Sequence, residues 1–84
     1  MVIAWHDATA DTVNISINNG STVSAAYTFG SANGSSAFEL GRRTGGASYL
    51  NGALDEMGIW KRVLTAAERT RLYNNGAGVT YPNF

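Results

Sequence analysis

Apolar and polar residues alternate with a period of two through the first third of the chain, the pattern of strands with one covered face. In residues 12–18, Val13, Ile15 and Ile17 fall on one side, and Thr12, Asn14, Ser16 and Asn18 on the other. Three β-branched residues opposite four small polar ones read as a half-buried antiparallel strand. Asn19-Gly20 follows, and both residue types tolerate the positive φ of a tight turn. Beyond it, Val23, Ala25, Tyr27 and Phe29 alternate with Thr22, Ser24, Ala26 and Thr28. The spacing predicts a hairpin of residues 11–18 and 21–29 around Asn19-Gly20. Val13, Ile15, Ile17, Val23, Ala25 and Tyr27 are expected to face a common core, with Asn14 and Ser16 outward. A slip of one residue would expose that whole set.

Residues 2–6 read as a short strand that ends in a turn at Asp7-Ala8-Thr9-Ala10. Residues 30–36 form a loop with a second Asn-Gly, Asn33-Gly34. Residues 37–42 are expected as the next strand, with Phe38 and Leu40 on one face and Glu39 on the other. A third Asn-Gly, Asn51-Gly52, precedes residues 53–61, which are apolar on both sides through Leu54, Met57, Ile59 and Trp60. Such a strand is central or covered. The pattern changes at Thr65-Ala66-Ala67-Glu68, a capping box in which hydroxyl and carboxylate satisfy each other's backbone N–H. A helix runs from there through Tyr73, and Asn74-Asn75-Gly76 stops it with a left-handed cap. Short strands, glycine turns and one late helix around residues 65–75 predict an all-β antiparallel sandwich or jelly roll. Residues 1–78 are expected as its body. Residues 79–84 are expected as an extended tail on which Tyr81 and Phe84 pack.

Composition narrows the picture. Eighty-four residues make one small domain at most, one that buries only about 60–65% of its unfolded surface. The absence of cysteine excludes disulfides and thiolate metal sites. The single histidine, His6, excludes a His-cluster zinc site. Six basic and six acidic residues give zero net charge, so no basic field for nucleic acid or anionic lipid exists. Water is met instead by Ser, Thr, Asn and Gly, 33 of the 84 residues. No apolar run is long enough for a membrane span, and no signal peptide is visible.

The run from Asn51 through Glu68, with Gly52, Leu54-Asp55-Glu56, Trp60, Lys61-Arg62 and Leu64-Thr65, resembles the C-terminal signature of laminin-G-like, concanavalin A-like jelly rolls. Leu72-Tyr73 and Gly76 fit the end of that family's short helix. Phe38-Glu39-Leu40-Gly41 is similar to the strand before its glycine loop, and residues 2–20 to its hairpin segment. The resemblance implies a partial, concanavalin A-like jelly roll matched by its C-terminal half, since a whole domain of that family is about twice this length. Either the chain is a fragment or half-sandwiches complete one another. One departure stands out: Arg69 occupies a position that is usually aliphatic.

Candidate chemistry is sparse. Asp55-Glu56 is the sharpest acidic pair, but adjacent residues of an ideal strand point to opposite faces, so the carboxylates do not converge on one atom. The glucanases of this fold align their carboxylates on a single strand as Glu-x-Asp-x-x-Glu, a string absent here. Asp55 is instead expected to tie a loop to its strand, and Thr65 and Glu68 to cap the helix. His6-Asp7 lacks a nucleophile elbow and an oxyanion donor, which reads as a surface pair. Calcium needs only oxygen ligands; Asp7 and Asp11 remain as candidates. The resemblance points elsewhere, to the loop of residues 41–46, where pentraxin-like relatives place acidic ligands and this chain carries Arg42 and Arg43. Those arginines suit a carboxylate, a sulfate or a sialylated glycan, or are simply solvated charges. Tyr49, placed at the rim, and Asn51 complete the candidate ligand-binding set, while Trp5 and Trp60 are expected mainly inside.

These readings lead to a non-catalytic, lectin-like module that binds a glycan or a protein surface on an exported, cell-surface or virion protein. The alternatives are a structural module that decorates an assembly without a small ligand, and a remnant of a glucanase-type enzyme. No cofactor is expected, with calcium the one open option. The apolar strand faces exceed what a chain this size can cover, so a homo-oligomer or a partner chain that completes the sandwich is expected.

Overall fold

A computed structural model of the chain describes residues 1–43, 45–80 and 82–83. Strands β1 (Val2–Asp7), β2 (Thr12–Ile17) and β3 (Val23–Ala26) form one antiparallel sheet in the order β1-β2-β3. Helix α1 (Ala66–Tyr73) follows late in the chain and passes into a 3-10 turn at Asn74–Gly76. The architecture is mostly β with one short helix, as the alternation and the capping box predict.

The turns are made by local chemistry. Between β1 and β2, Asp7 Oδ1 accepts from the backbone N–H groups of Thr9 and Ala10, both at 3.0 Å, an aspartate turn that substitutes for backbone pairing. Between β2 and β3 the left-handed pair is Asn18-Asn19, at φ 50° and 56°. Gly20 N–H donates to Ile17 O at 2.9 Å. The turn therefore sits one residue upstream of the expected Asn19-Gly20, because asparagine itself tolerates the left-handed conformation that hairpin turns require.

Pairing in the hairpin is as expected, and its burial is inverted. Ile15 lies opposite Ala4 and Val23, and Asn14 opposite Trp5 and Ser24. Val2, Ala4, His6, Val13, Ile15, Ile17, Val23, Ala25 and Tyr27 consequently share one face, but most of that face is open: Ile15 is 40%, Ile17 60% and Val23 69% exposed, and only His6, beside the Tyr27 ring, is half-buried. The opposite face, with Ile3, Trp5, Asn14 and Ser16, is the covered one. Ser16 is only 6% exposed, and its hydroxyl donates to Gly20 O at 2.9 Å. The expectation that Asn14 and Ser16 point to solvent is corrected. The physical reason is that the Arg69 side chain of α1 lies over Trp5 on that face, while the described residues leave most of the apolar one open.

The attachment of α1 explains the arginine at a usually aliphatic position. The Arg69 guanidinium lies 4.6 Å from the centre of the Trp5 ring and also donates to Leu64 O. Asn19 Nδ2 donates to Thr70 Oγ1 at 3.2 Å, so the hairpin turn and the helix are joined at a second point. Trp5 and Trp60 are half-buried, and Leu64 is buried.

Two expected strands do not form. Among the described residues, positions 37–42 and 53–61 belong to no strand, apart from a single antiparallel bridge between Arg42 and Tyr49. A strand exists only through a ladder of hydrogen bonds with a neighbour, and among the described residues these segments take part in no ladder longer than that one bridge. Phe38, Leu54, Met57 and Ile59 are exposed as a result. The expected packing of Tyr81 and Phe84 lies outside the described residues.

Replacing Arg69 with alanine removes both the stack on Trp5 and the donor to Leu64 O. It is expected to cost about 1–2 kcal/mol, seen as a lower thermal midpoint of tryptophan fluorescence. Arg69→Leu, which restores only the packing, should fall between the two.

Candidate functional site

Glycine-rich sequence at residues 41–46 allows the chain to double back on itself. Gly41 and Gly45 both adopt the left-handed conformation, at φ 72° and 69°, where a side chain would be strained. Leu50 N–H donates to Gly41 O at 2.7 Å and Arg43 N–H to Ser48 O at 3.0 Å. Arg42 and Tyr49 become direct cross-strand partners, which puts their side chains on the same side of a small ribbon with Cβ atoms about 4.5–5.5 Å apart. Two of the four expected ligand-binding residues are thereby brought together.

Tyr49 is 68% exposed, so its ring offers a free apolar plate with a hydroxyl at the rim. Arg42 Nε lies 3.3 Å from Glu39 Oε1, which holds the guanidinium beside the ribbon. The other Glu39 oxygen, Oε2, is buried without a hydrogen-bond partner, as is His6 Nε2. Arg43 is exposed and, by strand alternation, belongs to the other side. Asn51 is exposed two residues beyond Tyr49. This arrangement can stack a pyranose ring on Tyr49 while Arg42 donates to a hydroxyl or carboxylate.

The acidic candidates are dispersed. Asp7 is committed to its turn, and Asp11, at φ 51°, is exposed. No group of three or more His, Cys, Asp or Glu side chains is gathered among the described residues. Asp55 is exposed, and the strand to which it was expected to tie a loop is not formed. Glu56 sits at φ 50°, so the backbone at this pair is not extended and the opposite-face argument for a strand does not apply to it.

The best-connected polar cluster lies at the start of α1. Arg62 grips Glu68 with a two-pronged fork, Nη1 to Oε2 at 2.8 Å and Nη2 to Oε1 at 2.6 Å. Thr65 N–H donates to Glu68 Oε2 at 2.8 Å, and Glu68 N–H donates to Thr65 Oγ1 at 3.2 Å. The Arg62 fork, followed by the Thr65 backbone bond, holds the Glu68 carboxyl down at about 2. The same contact raises the Arg62 guanidinium. Trp60, Arg62, Leu64, Glu68, Arg71 and Leu72 line a shallow depression of about 160 Å³ here. The Trp60 ring folds back on Gly58, where a Cβ would stand 2.5 Å from it, so glycine is needed for that close approach.

Of the sequence pattern of residues 51–68 the structure shows the capped helix start and not the strand, and a family comparison decides the question. Residues 1–68 match a laminin G family model, Laminin_G_3, described as the Concanavalin A-like lectin/glucanases superfamily. The chain belongs to this family. The matched span takes in the sheet, the Arg42–Tyr49 ribbon and the capping box, and it ends at Glu68. No curated protein and no solved structure matches the chain. Sequence reasoning chose the laminin G loop residues Arg42 and Tyr49 separately. It missed their pairing, for which the flanking Gly41 and Gly45-Gly46 were the available signal. It also missed the Arg62–Glu68 fork, because six residues separate the partners.

Glu68 gives a signed pH dependence. Its folded carboxyl is depressed from an ordinary value of 4.5 to about 2. The stabilisation it lends is therefore complete above about 4.5 and is lost as pH falls toward 2. Circular dichroism between pH 6 and 2 should show α1 weakening across that window. Glu68→Gln, which carries no titrating carboxylate, should flatten this part of the profile.

Proposed function

We propose that the chain is a non-catalytic, lectin-like recognition module that binds a glycan, displayed on an exported, cell-surface or virion protein. Membership of a superfamily that includes lectins supports this reading. The observation that carries it is the exposed Tyr49 ring set beside Arg42 on a glycine-bounded ribbon. An aromatic plate next to a fixed guanidinium suits a sugar ring that bears a carboxylate or sulfate. Fold alone does not select function, so the loop residues bear the argument. No helix among the described residues is long and apolar enough to cross a membrane.

A second reading, a structural module of an assembly without a small ligand, is favoured by a different observation: the uncovered apolar face of β1–β3. Glycan-array binding, with and without calcium, separates the two. The recognition reading predicts binding to acidic glycans that Tyr49→Ala and Arg42→Ala each weaken at least tenfold, with unchanged circular dichroism. Silence on the array in both buffers refutes it and leaves a protein surface or an assembly contact. Turnover of β-glucans would refute the non-catalytic assignment.

A further inference from the structure

Asparagine is followed by glycine at Asn19-Gly20, Asn33-Gly34, Asn51-Gly52 and Asn75-Gly76. Such a pair can react with itself. The glycine backbone nitrogen reaches the Cγ of the asparagine before it, because no Cβ shields that nitrogen and the glycine backbone turns freely. Ring closure has two requirements: the asparagine ψ must swing the next nitrogen toward its own side chain, and that N–H must be free of an acceptor. The structure divides the four pairs on both counts.

Two pairs are tied down. Gly20 N–H donates to Ile17 O at 2.9 Å, Asn19 Nδ2 donates to Thr70 Oγ1 at 3.2 Å, and Gly20 O accepts from the Ser16 hydroxyl at 2.9 Å. Asn75 sits at φ 53° and ψ 31°. It is spanned by the bonds from Ala77 N–H to Asn74 O and from Gly78 N–H to Tyr73 O, both at 3.1 Å. Turning ψ at Asn19 or Asn75 breaks two or more of these contacts. Asn33-Gly34 is the opposite case. Residues 31–36 are all exposed and belong to neither helix nor strand. Among the described residues no hydrogen bond involves Asn33 or Gly34, and nothing stands within 4 Å of where a Gly34 Cβ would be. Asn51-Gly52 is also exposed and outside any helix or strand. It is more restrained, since it follows directly on the Leu50 N–H to Gly41 O bond and a Gly52 Cβ would lie 3.9 Å from the Leu50 side chain.

We infer that Asn33-Gly34 is a site of spontaneous covalent modification, that Asn51-Gly52 is a slower second site, and that the fold protects the other two pairs. The Gly34 nitrogen gives its proton to solvent base and bonds to Asn33 Cγ. The Cγ–Nδ2 bond breaks, and the side-chain nitrogen takes up a proton and leaves as ammonia. The product is a five-membered imide that includes the backbone. Water then opens the ring at either carbonyl, which leaves aspartate or, with the chain rerouted through the side chain, isoaspartate. Asparagine and water become an aspartyl residue and ammonia, so no oxidant, reductant or enzyme is needed. The new carboxyl, with an ordinary pKa of about 3.9, is ionised at neutral pH. Each event therefore moves a chain of zero net charge one unit negative. Opening costs almost nothing where no contact must break, whereas each lost hydrogen bond slows the reactive geometry. None of this uses the Arg42–Tyr49 ribbon, so it stands apart from the glycan reading.

Incubation of the 84-residue chain in mildly alkaline buffer, followed by peptide mapping with mass spectrometry and isoaspartate detection, tests the inference. Conversion is expected first at Asn33 and then at Asn51, with Asn19 and Asn75 slower by about tenfold or more. Ammonia should be released in step with the conversion. Gly34→Ala should slow Asn33 alone and leave the rate at Asn51 unchanged. In concentrated urea the four rates should converge, because the contacts that separate them are gone. Equal rates at all four sites in plain buffer overturn the inference, as does an Asn33 that stays intact while another site converts. The same ranking in urea as in buffer also overturns it, since neighbouring sequence rather than the fold would then set the order.

Discussion

An apolar sheet face that the described residues leave mostly open is the constraint on which the rest of this structure depends. Burial of β-branched side chains is the main favourable term in a small β protein, and here the largest set of them stays in water. The described residues bury Leu64 and Ser16 and leave Val2, Ile17 and Val23 largely exposed. Residues 37–42 and 53–61 belong to no strand among the described residues, apart from the Arg42–Tyr49 bridge, although their sequence favours strands.

What order exists is held by polar contacts on the other side. Arg69 reaches from α1 to Trp5 and to Leu64 O, and Asn19 reaches from the hairpin turn to Thr70. Arg62, Glu68 and Thr65 lock the first turn of α1 in a closed set of charge-assisted bonds. An arginine in place of an aliphatic residue is reasonable there. The sheet face it meets is polar, and a long stem with a flat guanidinium covers an indole while its N–H groups still find an acceptor. The Glu68 carboxyl, held at about 2 chiefly by the Arg62 fork, makes the start of α1 sensitive to acid.

Family membership and local geometry carry different weights in the functional argument. The laminin G match over residues 1–68 assigns the fold family, which embraces both lectins and glucanases. Only the placement of particular side chains narrows the reading. Tyr49 and Arg42 share one side of a ribbon, whereas Asp55 and Glu56 are adjacent and exposed on irregular backbone. The first arrangement suits recognition of a ring and an anion.

Local rules were enough for the local features. The period-two pattern of residues 12–29 determined β2, β3 and their register, because alternation and a short turn leave one pairing that keeps the apolar set together. Thr65-x-x-Glu68 and Asn74-Asn75-Gly76 determined the ends of α1, because caps act within one helical turn. Tertiary structure alone decided three things. It decided which sheet face is covered, since alternation separates two faces but does not say which one meets a neighbour. It decided that residues 37–42 and 53–61 join no described strand, since strand propensity is expressed only beside another strand. And it decided that Arg62 meets Glu68 and Arg42 meets Tyr49, since each pair is joined by a bend whose path depends on backbone conformation rather than on spacing along the chain.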